Sequence, residues 1–276
     1  MNNPELYTNV NALQKRDAQE VLEEVKDLLP WSIGENVLDV GCGPGDLTTS
    51  LLTSYLANDY RVVGCDISEA MVKYAQAKYG NDQFCFKQLD ISNGNIWMNW
   101  EEEIFDKVFS FYCLHWVKDQ MQAAENIYSL LKDGGYFVTM FTISHPFLIL
   151  FSRLKENPKW QPYTKIWKTW DAFHNSRRDP KEEYIQILKE TGFQVIKCIT
   201  RETSFVHPST KAFIEYFESI NPFKKRLPKD KGEEFLQDCQ NFLIEMGLLE
   251  INEKQEAVHK YTVMTTVAKK GSNFDY

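Results

Sequence analysis

The stretch VLDVGCGPG, residues 37–45, carries the signal that sets the fold. Val37, Leu38 and Val40 make a short apolar strand, and Gly41, Gly43 and Gly45 follow at once. Glycines let the backbone turn sharply and pass close to a ligand, because no Cβ stands in the way. A helix is expected from Asp46 to Leu56, so a ligand would rest beside its N-terminus. Two ligand classes compete for such a turn. A dinucleotide loop reads G-x-G-x-x-G and holds a pyrophosphate at the helix start. Here Asp46 stands in the place of the third glycine, where a carboxylate would repel a phosphate. Asp39, two residues before the first glycine, suits a cationic amino acid better. A tight turn that binds nothing is the third reading.

Outward from this turn, strands and helices alternate. Further strands are expected at RVVGCD (61–66), FCFKQLD (84–90), FDKVFSFYCL (105–114) and, after Gly134 and Gly135, YFVTMF. Ser68 can cap the helix that buries Met71, Tyr74 and Ala75. Asp119 with Gln122 resembles a capping box opening a helix that buries Ala124, Ile127, Tyr128 and Leu131. An N-terminal helix over about 11–29 carries Val21, Leu22, Val25, Leu28 and Leu29 at helical spacing and stops at Pro30. This alternation predicts a parallel sheet with helices on both faces.

Beyond residue 142 the pattern changes. Residues 144–178 hold no clear strand but carry Phe147, Phe151, Trp160, Tyr163, Trp167, Trp170 and Phe173. A helix near 180–191 and a strand near 193–202 resume the alternation. Residues 207–256 read as a second, helical insertion with Phe213, Phe217, Ile220, Phe235, Cys239, Phe242, Leu243 and Met246. A last strand covers about 258–268. The expectation is one domain over 1–276, with a cofactor-binding half at 30–142 and a substrate cover made by 1–29, 144–178 and 207–256.

Three acids, Asp39, Asp66 and Asp90, each end one of three consecutive strands. Ligands of open α/β sheets bind at that edge. Asp66 can accept hydrogen bonds from two ribose hydroxyls. Asp90 can accept from an exocyclic adenine amine, with Ile91 packed on the ring; each acid alone could also be a strand-end cap. Together these features resemble the class I S-adenosylmethionine-dependent methyltransferases over about 36–142. The resemblance implies an α/β fold with a seven-stranded, mostly parallel Rossmann-like sheet, its last strand antiparallel, plus helical substrate-cover insertions. It implies S-adenosylmethionine as cofactor. Asp39, Gly41 and Gly43 would sit on its methionine part, Asp66 and Ile67 on the ribose, and Asp90 and Ile91 on the adenine. No metal is implied.

NALQKRDA (11–18), DISEAMVKYA (66–75), SFYCLHWV (110–117) and INPF (220–223) further resemble the juvenile hormone acid O-methyltransferases of arthropods. This likeness spans nearly the whole chain and implies a small lipophilic carboxylic acid as substrate. It places Gln14, His115 and Trp116 around the acceptor carboxylate, where each offers an N–H donor. Other readings stand beside these: Gln14 as a solvated helix residue, and His115 with Trp116 as a packing pair. Phe111 and Tyr112 read as core. A carboxylate is ionised at neutral pH, so no general base is required. An amine or hydroxyl acceptor would need one, and His115 is the one candidate. A non-catalytic binder of S-adenosylmethionine or of a lipophilic acid is the rival of another class.

Composition narrows the partners. The net charge of −8 disfavours nucleic acid, and the basic run Lys224, Lys225, Arg226, Lys229 and Lys231 is followed by Glu233 and Glu234. No apolar stretch reaches the length of a membrane span. The six scattered cysteines form no C-x-x-C pair and suit a reducing, cytoplasmic setting. The oligomeric state is left unassigned.

Overall fold

A computed structural model describes residues 3–98, 100, 103–164, 179–223 and 226–271. Trp167, Trp170 and Phe173 of the expected aromatic wall, and Lys224 and Lys225 of the basic run, lie outside the described residues. In chain order the elements are α1 (Pro4–Val10), α2 (Ala12–Val25), β1 (Asn36–Val40), α3 (Asp46–Ser50), β2 (Arg61–Asp66), α4 (Glu69–Tyr79), β3 (Phe84–Gln88), β4 (Phe105–Phe111), α5 (Gln120–Leu130) and β5 (Leu131–Ser144). They continue as α6 (Pro146–Glu156), α7 (Gln161–Thr164), α8 (Pro180–Thr191), β6 (Phe193–His207), α9 (Thr210–Ile220), α10 (Gly232–Glu245), β7 (Glu250–Ile251) and β8 (Ala257–Lys270).

The strands lie in the order β3-β2-β1-β4-β5-β8-β6, with β7 paired to β8. All neighbours are parallel except those of β8, which runs antiparallel to β5, β6 and β7. The seven-stranded sheet with an antiparallel last strand is thus present, and β7 adds a two-residue eighth strand. The inner strands are buried on both faces, so they read as continuous apolar runs. Val37, Val62 and Val138 pack into one core with Leu13, Val21, Phe147, Phe217 and Leu243. Leu38, Val63 and Phe137 face the other way, onto Ile127 of α5 and Leu188 of α8.

Local signals set the helix starts. Ser68 Oγ accepts from Met71 N–H, and Asp119 from Gln122 N–H. The helix expected to reach Leu56 ends instead at Ser50 and gives way to a single 3-10 turn at Leu52–Ser54. Thr48, Thr49, Ser50 and Thr53 crowd that stretch with hydroxyls; those of Thr49, Ser50 and Thr53 accept no part in capping but donate to carbonyls four residues back, which competes with regular helix. The strand expected to stop at 202 runs on to His207. There His207 and Ala257 are register partners, so residues 208–256 leave and rejoin the sheet side by side.

Candidate active site

The strand order reverses direction at β1, where β2 lies on one side and β4 on the other. A ligand crevice opens at the carboxyl ends of strands at such a point. The glycine turn forms its floor. Gly41, Gly43 and Gly45 have φ of 81°, 54° and 81°. A Cβ on Gly41 would overlap the Cys113 side chain, so this position admits no other residue without a shift. Gly41 N–H and Cys42 N–H both donate to Cys65 O, at 2.7 and 3.0 Å. Gly43 N–H donates to Asp66 Oδ2 at 3.0 Å, and Ser68 N–H to Asp66 Oδ1 at 2.8 Å. Asp66 therefore braces the turn while each of its oxygens keeps a lone pair for a ligand. Burial raises its pKa, against the lowering effect of those two N–H bonds.

The crevice has a volume of about 310 Å³ and is lined by Gly41, Gly43, Asp66, Ile67, Met71, Asp90 and Ile91, among others. Ile67 is 64% exposed at the rim, whereas Ile91 is buried and presents an apolar surface. Asp90 Oδ1 accepts from both the backbone and the hydroxyl of Ser92. Acceptor oxygens at two strand ends with an apolar slot between them fit a nucleoside with free ribose hydroxyls and an exocyclic amine.

Asp39 lies deeper, 2% exposed, and faces a smaller cavity under the turn that shares Tyr7, Gly41, Gly43 and Phe111 with the crevice. Thr48 Oγ1 donates to its Oδ2 at 2.5 Å. Burial, with the charge of Asp66 adding to it, pushes Asp39 up to about 7 against the effect of Thr48. The sign for ligand binding follows. Below that pH Asp39 holds a proton and loses its attraction for an ammonium; above it, the anion is available. Affinity for S-adenosylhomocysteine is expected to rise by roughly tenfold from pH 6 to pH 8 and to level off there. In Asp39→Asn that rise should vanish, which calorimetry across the range would read.

Asp46 differs from its expected role. Asn11 Nδ2 donates to it at 3.0 Å and Lys15 Nζ lies 2.5 Å from Oδ2, so it is not a free negative charge at the helix start. Its power to repel a phosphate is correspondingly small, and Lys15, one turn of α2 after Asn11, is the residue that explains why.

Beside the crevice is a narrow chamber of about 30 Å³. Gln14, His115 and Trp116 all line it, together with Thr142, His145 and Tyr216, which the sequence reading did not single out. Gln14 is 4% exposed, which removes the solvated-helix reading. It shares the chamber wall with Tyr216. His115 and Trp116 rings lie 5.2 Å apart, so they do pack on each other, and they also face the chamber. His145 caps α6, its Nδ1 accepting from Phe147 N–H at 3.2 Å, which leaves the proton on Nε2. Among the lining residues there is no Asp or Glu.

Tyr7, Tyr112 and Trp116 line both the crevice and the chamber, so the two spaces share a wall. Tyr112 is the correction to the sequence reading, which took it for core. It is half-buried with φ of 54°, a left-handed conformation that costs a non-glycine residue about 1–3 kcal/mol and clusters at functional sites. Phe111 is in the core as expected, yet it also lines the crevice.

Residues 38–139 match the model of a methyltransferase domain. Over 277 residues the chain is 35% identical to the juvenile hormone acid O-methyltransferase of Bombyx mori, covering 98% of both proteins. The chain belongs to the juvenile hormone acid O-methyltransferase family. The family's enzyme from Drosophila melanogaster is 34% identical, over 99% of this chain and 94% of its own. Trans-aconitate 2-methyltransferase of Escherichia coli is 29% identical over 91% of each. Among solved structures, the phosphoethanolamine N-methyltransferase 2 of Haemonchus contortus in complex with S-adenosyl-L-methionine superposes with a TM-score of 0.52 at 19% identity, over 92% of this chain and 52% of its own. The [4+2]-cyclase SpnF superposes at 0.56 and 15% identity, over 94% and 82%. At such identities these two share the fold alone. The full-length relatives, not the fold, carry the assignment of this chain to the methyltransferase family.

Proposed function

We propose that the chain methyl-esterifies the carboxylate of a small lipophilic acid, juvenile hormone acid or a farnesoic acid-like isoprenoid, with S-adenosylmethionine as methyl donor. The observation that carries this is the chamber's lining: N–H donors from Gln14, His115 and Trp116 among aromatic and aliphatic side chains, with no acid to compete, against a wall shared with the crevice. The names of the full-length relatives support the same substrate class.

When bound, S-adenosylmethionine supplies a methyl on a cationic sulfur, which a carboxylate oxygen takes as the S–CH₃ bonding pair leaves with the sulfur. The chain's part is to bind, orient and exclude water. Asp39 and the turn at Gly41 and Gly43 hold the amino-acid end, Asp66 and Ile67 the ribose, Asp90 and Ile91 the base. Gln14 and Trp116 orient the acceptor carboxylate, with His115 beside them. No base is assigned, because the acceptor is ionised before it arrives. Alignment of the two reactants alone can supply about 7–11 kcal/mol of the barrier. The donors serve orientation rather than tight grip, since equal stabilisation of ground and transition states leaves the rate unchanged. The chamber is narrow, so entry of a lipophilic chain requires lining side chains such as Phe151 and Ile220 to move aside.

No described helix is long and apolar enough to cross a membrane. The six cysteines, all free, support a cytoplasmic setting, and the charge of −8 supports a small molecule rather than nucleic acid as partner. The test is transfer of labelled methyl to a panel of fatty and isoprenoid acids, with matched amines and alcohols. Transfer to the isoprenoid acids, with a rate at saturating cofactor that is flat in pH above the acid's own pKa, is expected. Preference for an amine or alcohol, or binding without transfer, would overturn the reading.

A further inference from the structure

We infer that Asp17 is a positioning residue for methyl transfer: by accepting the Tyr112 hydroxyl it fixes the ring that stands between the cofactor crevice and the acceptor chamber. The inference rests on the proposed transfer to an acid. Asp17 lies on α2, three residues after Gln14, and is fully buried. It lines neither space. Its Oδ2 accepts from Tyr112 Oη and from Tyr261 Oη, each at 2.5 Å. Its Oδ1 accepts from Arg16 Nε at 2.9 Å and pairs with the same guanidinium at 2.7 Å. Arg16 in turn donates to Tyr261 Oη at 2.8 Å and to Ser204 O at 2.9 Å. One buried carboxylate thus ties α2, the turn after β4, β6 and β8 together. Charge-assisted bonds of this length are the strong ones, and those from Tyr112, Tyr261 and Arg16 converge on a carboxylate without solvent.

What this cluster holds is the left-handed residue. Tyr112 is fastened at its backbone by donation to Met140 O at 2.9 Å and at its tip by Asp17. Burial and the neighbouring Tyr261 and Asp17 push its pKa up, so the phenol stays a donor. Its ring meets the His115 ring edge-on at 6.1 Å, and His115 packs on Trp116. Moving Tyr112 therefore moves both the partition and the donors beyond it. Nothing in the sequence pairs residues 17 and 112, which are brought together only by the fold.

Tyr261 supplies the internal control, because it shares the same carboxylate oxygen but lines neither space. Three variants, Asp17→Asn, Tyr112→Phe and Tyr261→Phe, are compared for kcat and KM on an acid substrate, for affinity toward S-adenosylhomocysteine, and for Tm. Asp17→Asn and Tyr112→Phe are each expected to lower kcat by roughly tenfold or more with affinity within about threefold, and their double variant to be no worse than the poorer single. Tyr261→Phe is expected to lower Tm and keep kcat. Equal loss of kcat in Tyr261→Phe, or full kcat in Tyr112→Phe, overturns the inference, the latter even if Asp17→Asn does not fold. A wild type inactive on every acid sinks the substrate reading alone. The position of Tyr112 is then read from carbon-13 tyrosine resonances: a Tyr112 signal that shifts in Asp17→Asn sustains the inference, and one that stays in place overturns it.

Discussion

Asp66→Ala is expected to weaken binding of S-adenosylhomocysteine by at least about a hundredfold, the largest single effect on the cofactor side. Two contributions add. The carboxylate is the proposed acceptor for two ribose hydroxyls, and hydrogen bonds to a charged group contribute about 1.5–3 kcal/mol each. It also accepts from Gly43 and Ser68 N–H, so its loss removes one of the ties between the glycine turn and the neighbouring strand end. A hundredfold corresponds to only about 2.8 kcal/mol, less than either reading of the ribose bonds taken together. Asp66→Asn should fall between, since an amide oxygen still accepts but carries no charge. Calorimetry checks both, and an unchanged affinity in the alanine variant would refute the ribose role.

On the acceptor side, the variant carrying both Gln14→Leu and Trp116→Phe is expected to lose roughly a hundredfold to a thousandfold in kcat/KM on an acid while its cofactor affinity moves by less than about threefold. Gln14→Leu removes an amide with two N–H donors at nearly constant shape, and Trp116→Phe removes the indole N–H with a smaller ring left in its place. Two charge-assisted bonds at about 1.5–3 kcal/mol each sum to about 3–6 kcal/mol, and the expected loss corresponds to the lower half of that sum. Both residues are also near the crevice, Trp116 directly and Gln14 through the cavity under the turn. That proximity makes the affinity measurement the decisive companion. Full turnover in this variant would end the carboxylate-pocket reading, and parallel loss of cofactor binding would reassign the two residues to the donor.

Local chemistry was legible from the sequence, and long-range pairing was not. The strand at Asn36–Val40 and its glycines, the caps at Ser68 and Asp119, and the placement of Asp66 at the end of β2 all depend on residues a few positions apart, whereas Asp90, expected to end its strand, lies two residues beyond β3. Gln14, His115 and Trp116 do meet around one chamber, a grouping that came from family likeness rather than from spacing. Three features escaped for one reason. Tyr112 reads as another apolar strand residue until its positive φ and its bond to Asp17 are seen. Asp46 reads as a bare charge until Lys15 is found beside it. The far end of β6, Thr203–His207, alternates half-buried with exposed positions up to His207, and only its pairing with β8 makes it a strand. Each depends on contacts between segments that periodicity does not register.

The adjacency of His207 and Ala257 has a consequence for how such a catalyst diversifies. Helix α9, which supplies Tyr216 and Ile220 to the chamber, and helix α10 after it are strung between two neighbouring rungs of one ladder. Lengthening or replacing that excursion leaves its anchor points where they are and adds little to the entropy of closing it. The hinge points of this excursion are therefore set by the sheet, while its helices are tied to the rest of the molecule through Phe213, Phe217, Phe235 and Leu243, so its length is free to vary only where those core positions are kept.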